Sequence, residues 1–460
     1  MSRVLDLNFL AAAQWNRDYE TDAQSCSESR VATIGLLRQQ QAMARKSVSL
    51  LPEAEADRTF FYVERLLKSW LWAFGGNRIL FDGPPALLSR LQQHYAHAGT
   101  GRFDSELVGE KICGAPITVE AAPPNEIPEP TTQQRPLGKH LDGCRIGFDL
   151  GGSDRKCAAL IDGEVLFSEE VSWEPYFQSD PDYHYQGIMD SLRRAAAHLP
   201  RVDAIGGSAA GVYVENEVRV ASLFRGVSPA DFDAQVRGLF HRIQKEWGHV
   251  PFVVINDGEV TALAGAMSLD DNALLGVSLG TSTAAGYVTP EGHLTPWLNE
   301  LAFVPVDYRL DGPVDEWSGD IGCGVQFFSQ QGVARLAEQA GLQFDSAMPL
   351  AERLLAVQER MAQGDPGARS IYETIGNCFG HAIAHWTSLY DLRHLLILGR
   401  VTSGPGGALI LDRARTVLHA EYPDLAERVA LHTPDEQMKR HGQAVAAASL
   451  PMITPKRRNG

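Results

Sequence analysis

Three short stretches hold residues suited to phosphate chemistry. Asp149-Leu150-Gly151-Gly152-Ser153 ends the apolar run RIGFDL and precedes a second run, KCAALID. A strand there delivers the Asp149 carboxylate to its carboxyl end. Gly151 and Gly152 permit a tight turn whose N–H groups can cradle phosphate oxygens, and Ser153 adds a hydroxyl. Asp149 is then placed to hold a water on Mg²⁺. Arg155 and Lys156 follow; they reach a phosphate or form a solvated charge cluster. A second strand, not a helix, comes next, and no GxxxxGK[ST] spacing occurs, which excludes a P-loop. The second stretch is Ser278-Leu279-Gly280-Thr281-Ser282-Thr283. Gly280 allows close approach, and the Thr281 and Ser282 hydroxyls can donate to phosphate oxygens. The third, Gly399 with Ser403-Gly404-Pro405-Gly406-Gly407, opens a helix and could accommodate a flat purine and ribose. Between the first two lies Asn256-Asp257, closing the run PFVVINDG. A carboxylate at a strand's end can accept a hydroxyl proton, and the neighbouring amide can hold another hydroxyl.

The elements needed to position these groups are legible from residue 145 onward. Strand, small-residue turn and strand recur early (145–172) and late (272–292). Further strands are expected at 204–211, 251–258 and 394–399, with helices at 184–198, 229–247, 408–420 and 436–449. Two similar units imply a duplicated two-lobe α/β architecture with a cleft between lobes. The first lobe spans 144–258, completed by a C-terminal helix at 436–452, and the second spans 259–435. Residues 1–143 read as a mainly helical extension, with helical spacing over 30–48 and 58–74, ending in the Pro-rich linker 121–140.

The order DLGG, IGGSAAGVYV, VINDG, SLGTSTAAGYV, LLILGRVTSGPGG, HGQAVAAASL resembles the ROK family of the actin-like ATPase superfamily, over residues 144–452. The resemblance implies an actin-like ATPase (ribonuclease H-like) fold with ATP and Mg²⁺ in the cleft. It makes Asp257 the general base toward a sugar hydroxyl, Asn256 a sugar contact, and Glu300 the match to the family's sugar-binding glutamate. The segment departs from the family pattern elsewhere. Phe303 stands where that pattern has a zinc-binding histidine, and residues 316–332 hold only Cys323 in place of clustered cysteines. One thiolate cannot close a tetrahedral site, so no structural zinc is expected. Ser153 replaces the usual threonine. Arg225 falls where the family often has a substrate-loop Asn or Trp; it would favour an anionic ligand, or it is a surface residue. His381 and His385 have the i,i+4 spacing of metal ligands but lack an accompanying acidic pattern.

The chain has 460 residues and a formal net charge of −16, which argues against a nucleic-acid or anionic-membrane partner. Six cysteines show no CxxC pair. With no signal-peptide pattern and no long apolar run, they read as reduced thiols of a cytoplasmic protein. The leading expectation is ATP-dependent phosphorylation of a small sugar or sugar-like hydroxyl. One alternative is a ROK-type transcription regulator, with ATIGLLRQQQAMARKSV (32–48) as a helix-turn-helix candidate. Another is a nucleotide- or sugar-binding protein that has lost turnover. Residues 1–143 could cap the nucleotide lobe, form a homodimer contact or cover the site.

Overall fold

The computed structural model describes residues 4–130, 138–434 and 442–453. They form two compact units. One comprises Met1–Gln133, Val277–Ala285 and Pro296–His432; the other comprises Gln134–Gly276, Gly286–Thr295 and Thr433–Gly460.

The first 130 residues hold a sheet that the sequence pattern did not show. Strands β1 (Arg30–Arg38), β2 (Gln41–Leu50), β3 (Arg78–Asp82) and β4 (Thr118–Ala121) pair in the order β2-β1-β3-β4. The helix expected over 30–48 is therefore a hairpin, turning at Gln39 with φ 55°. Ala32 to Leu37 are all buried. A strand covered on both faces loses its two-residue alternation and cannot be told from a helix by spacing. The same correction removes the helix-turn-helix candidate at 32–48. Helices α1 (Ala12–Ser25), α2 (Ala56–Phe74) and α3 (Pro85–Tyr95) and the single turn α4 (Arg102–Asp104) accompany the sheet, and α2 matches the helix expected at 58–74.

The second unit contains the five-stranded sheet that bears Asp149. Its strands are β5 (Cys144–Leu150), β6 (Asp154–Ile161), β7 (Glu164–Ser172), β8 (Ala204–Ala209) and, after the short hairpin β9 (Val212–Val214) and β10 (Glu217–Val220), β11 (Phe252–Asn256). The order is β11-β8-β5-β6-β7. β5, β6 and β7 are antiparallel, whereas β5, β8 and β11 run parallel. β5 is buried at every position and β7 alternates, as a central and an edge strand should. The helix expected at 229–247 is broken into Pro229–Asp231, a wide turn at Phe232–Val236 and Leu239–Glu246. The remaining sheet runs β13-β12-β14-β15, from β12 (Leu274–Leu279), β13 (Thr283–Val288), β14 (His394–Leu398) and β15 (Ala430–His432).

The alanine-rich helix Gln443–Ala448 lies on β5 and β8. The start of the helix expected at 436–449 falls outside the described residues. A Cβ at Gly147 would overlap the Ala444 carbonyl, and one at Gly206 the Ala447 carbonyl. Two glycines thus let helix backbone rest directly on strand backbone, which only a side-chain-free floor allows. We expect Gly206→Ala to destabilise the protein by about 1–3 kcal/mol through overpacking. Gly238→Ala, where nothing lies within 4 Å, should stay within about 0.5 kcal/mol of wild type. Urea midpoints of the two variants check this; equal values would contradict the packing argument.

Candidate functional site

Parallel strands present their carboxyl ends on one edge, where α/β sheets place ligands. Asp149, next to last in β5, pairs in register with Ser208 of β8, and Ser208 pairs with Ile255 of β11. The Ser208 hydroxyl donates to Asp149 Oδ1 at 2.6 Å. Asp149 is buried, and burial, reinforced by the charge of Asp257, pushes its carboxyl up to about 6 against the pull of Ser208 and Lys156. Across the β5-β6 ladder its register partner is Lys156. Burial disfavours that ammonium, but Asp149, Asp154 and Glu170 together hold its pKa above the ordinary lysine value. Arg155, on the opposite face, is spent in the core on Asp190 (2.7 Å) and Ser191. Lys156 is therefore the cation beside Asp149.

The turn after β5 is held from outside. Gly151 N–H donates to Asp154 O at 2.9 Å, and the Trp173 indole N–H donates to Gly151 O at 2.8 Å. A side chain at Gly152 would overlap the Tyr176 phenol. Ser153 is exposed and its hydroxyl donates to Asp154 Oδ2 at 2.9 Å. Arg225 is exposed and lies over Tyr176 (4.3 Å to the ring centroid) and Phe177 (4.9 Å). It meets the turn through Tyr176, whose phenol lies against Gly152. Trp173 and Tyr176 lie outside every motif picked from the sequence; an aromatic pair just past the hairpin was their only signal.

Asn256 and Asp257 mark the passage from β11 into the helix Asp257–Leu269. Asn256 caps that helix, its Oδ1 accepting Gly258 N–H at 2.7 Å, while its Nδ2 donates to Gly211 O at 2.7 Å. Both amide atoms have protein partners, so its first role is to fix the turn. Asp257 opens the helix. Desolvation raises its carboxyl despite the Gly258 N–H. Tyr213, whose hydroxyl donates to Ala210 O at 3.1 Å, lies near enough for Asp257 to disfavour its ionisation further, after burial.

The remaining candidates belong to the other unit. Gly280 N–H donates to Ser282 O at 2.9 Å, closing a tight turn, and Gln330 N–H donates to Gly280 O at 2.9 Å. Thr281 and Ser282 are exposed. Gly399 follows β14 with φ 100° and abuts the Leu279 backbone. Gly406 and Gly407 are buried in the first turn of the helix Pro405–Glu421, against Tyr372 and Thr402. Glu300 is half-buried and its N–H donates to Trp72 O at 3.0 Å. Burial pushes the Cys323 thiol up to about 12, with Lys68 and Arg65 among the charges acting on it. His381 Nδ1 is 2.9 Å from Tyr422 Oη, and His385 is buried against Ser69, its imidazole pushed down to about 4.

Because Asp149 binds its proton more tightly folded than unfolded, its contribution to stability falls as pH rises from about 4 to about 6 and is flat above. Asp149→Asn should raise stability by about 1–3 kcal/mol near pH 7.5 and give no gain near pH 4. Denaturant titration of nucleotide-free protein at both pH values tests this; an equal effect at both would refute it.

No protein-family model matches the sequence, and no curated protein matches it. Solved structures do. A ROK hexokinase from Thermus thermophilus superposes with a TM-score of 0.53 at 19% identity, covering 67% of this chain and 97% of that one. A ROK family transcriptional regulator, homologous to the E. coli MLC protein, gives 0.51 at 18% identity, covering 67% and 78%. Among the described residues no helix is long and apolar enough to cross a membrane. With Asp149 and Asp257 at the ends of parallel strands and the sheet order as found, the chain has the α/β, two-lobe actin-like ATPase fold shared by ROK kinases and ROK regulators.

Proposed function

We propose that this protein is a divergent ROK-type kinase that phosphorylates a hydroxyl of a sugar or sugar-like alcohol with ATP. The observation that carries the reading is the placement of two carboxylates, Asp149 and Asp257, at the carboxyl ends of β5 and β11, with Lys156 in register beside the first. Phosphoryl transfer asks a protein chiefly for positioning and charge neutralisation. Asp257, raised by desolvation and standing at a helix start, is suited to take the proton of an attacking hydroxyl. Asn256 holds the turn that aims it, and Glu300 is the proposed sugar contact in the other unit. The Gly151-Gly152 and Gly280-Thr281-Ser282 turns would hold phosphates through backbone N–H and hydroxyl donors. Gly399, Gly406 and Gly407 would line the base and ribose. A Mg²⁺ ion near Asp149 would favour its charged form and offset the burial penalty; ATP supplies the phosphoryl group. The regulator alternative loses its helix-turn-helix candidate, because residues 32–48 form a β-hairpin; it keeps the support of a fold shared with a ROK regulator.

Purified protein with ATP, Mg²⁺ and a panel of sugars should release ADP with one sugar class. Asp257→Asn should lower kcat by about 10²–10⁴-fold. Unchanged turnover in that variant would remove Asp257 from the role of base. Since protonation silences a base and burial raises the Asp257 carboxyl, kcat/KM should fall as pH drops, beginning above the ordinary carboxylate range.

A further inference from the structure

Outside the candidate site, the densest charge cluster among the described residues is buried under α2. Glu64, Arg65 and Lys68 of that helix are 3%, 8% and 3% exposed. Lys68 Nζ lies 3.0 Å from Asp104 Oδ1 and 2.8 Å from Asp320 Oδ2. Arg65 spans Asp320 (3.1 Å) and Glu64, and Glu64 also meets His94 at 3.3 Å. The indole N–H of Trp72, one turn beyond Lys68, donates to the same Asp104 oxygen at 2.8 Å.

The far ends of this network are the two segments around Glu300. Asp320 lies in the stretch whose Cys323 pairs with Pro305 and whose Val325 N–H donates to Ala302 O at 2.9 Å. The carboxyl end of α2 receives the other segment: Asn299 N–H donates to Ala73 O at 2.9 Å and Glu300 N–H to Trp72 O at 3.0 Å. Carbonyls at a helix end lack partners within the helix, and here the Glu300 turn supplies them. Phe303 stacks on Trp72 with ring centroids 4.1 Å apart. The turn itself is costly. Asn299 has φ 54°, is 1% exposed, and neither polar atom of its side chain has a partner among the described residues. Such a conformation persists only where its surroundings over-determine it, and it recurs at ligand sites.

We propose that Arg65 and Lys68 are positioning residues for Glu300: by locking α2 to Asp104 and Asp320 they fix the helix end on which the Asn299-Glu300 turn hangs. The inference rests on the reading that Glu300 contacts the substrate. On this view residues 1–130 are part of the substrate subsite and not an appendage.

The test uses full-length Asp320→Asn, which leaves Lys68 paired to Asp104 and Arg65 to Glu64, and Trp72→Phe, which keeps the ring and removes the N–H. Hydrogen exchange of the 297–304 segment should speed up about tenfold or more in both, with β5 (Cys144–Leu150) unchanged. The sugar KM should rise by a similar factor while the ATP KM holds. Lys68→Arg should retain wild-type exchange more fully than Lys68→Met. Unchanged exchange at 297–304 in the folded variants, or equal acceleration everywhere, would overturn the proposal. Local acceleration in the variants, with a wild-type protein that phosphorylates no sugar, would leave the anchoring intact and refute the kinase reading instead.

Discussion

The in-register row Asp149, Ser208, Ile255 across β5, β8 and β11 is the constraint on which the rest of the proposed phosphate site depends. A slip of one residue in the β5-β8 ladder would turn Asp149 to the opposite face from Ser208 and leave Ser208 Oγ without its acceptor, and one in the β8-β11 ladder would shift Asn256 and Asp257 relative to that pair. The row holds because β8 is nearly side-chain-free, AIGGSA, and buried throughout. One face of that strand accepts the helix Gln443–Ala448 at backbone distance. Its Gly207 lies under the Phe148 ring. The serine in the middle is then the single polar contact that the buried carboxylate receives from this strand.

Charge is handled differently in the two units. Around Asp149 it is left partly uncompensated: burial and a second carboxylate outweigh one serine and one lysine, and the carboxyl is raised. Under α2 the reverse holds, with Arg65 and Lys68 kept charged among Glu64, Asp104 and Asp320. A completed network of buried ion pairs adds little net stability but is strongly directional, since breaking one partner strands the others. An uncompensated carboxylate is suited to a cation or a proton, whereas a compensated cluster is suited to holding loops in place.

Much of the sheet that carries Asp149 was legible because its signals are local. DLGG, VINDG and SLGTST each place a strand end, a small-residue turn and a polar side chain within a few residues, and β5, β11 and β12 fall there. What escaped was non-local. The β1-β2 hairpin buries both faces, so its spacing imitates a helix. Arg155 and Lys156 are adjacent in sequence, and only the pleat separates the one facing Ser191 from the one facing Asp149. Gly406 looked like a loop residue because nothing nearby names Tyr372, 34 residues before it, as what its missing side chain admits. The anchoring of Glu300 by Trp72 joins residues more than 200 positions apart, beyond the reach of any spacing rule.

The helix on the glycine floor also dictates an order of events during synthesis. Ala444 and Ala447 meet Gly147 and Gly206, residues made some 300 and 240 positions earlier. Until that last helix leaves the ribosome, β5 and β8 present a flat, side-chain-poor apolar face to solvent. Contacts so distant in sequence make closure slow and leave an aggregation-prone surface in the interval. The nascent chain therefore completes the bed of its proposed phosphate turn only once residues 443–448 have been made, and a premature stop before residue 443 would yield a protein with every proposed phosphate-binding residue present and no cover for the sheet that aligns them.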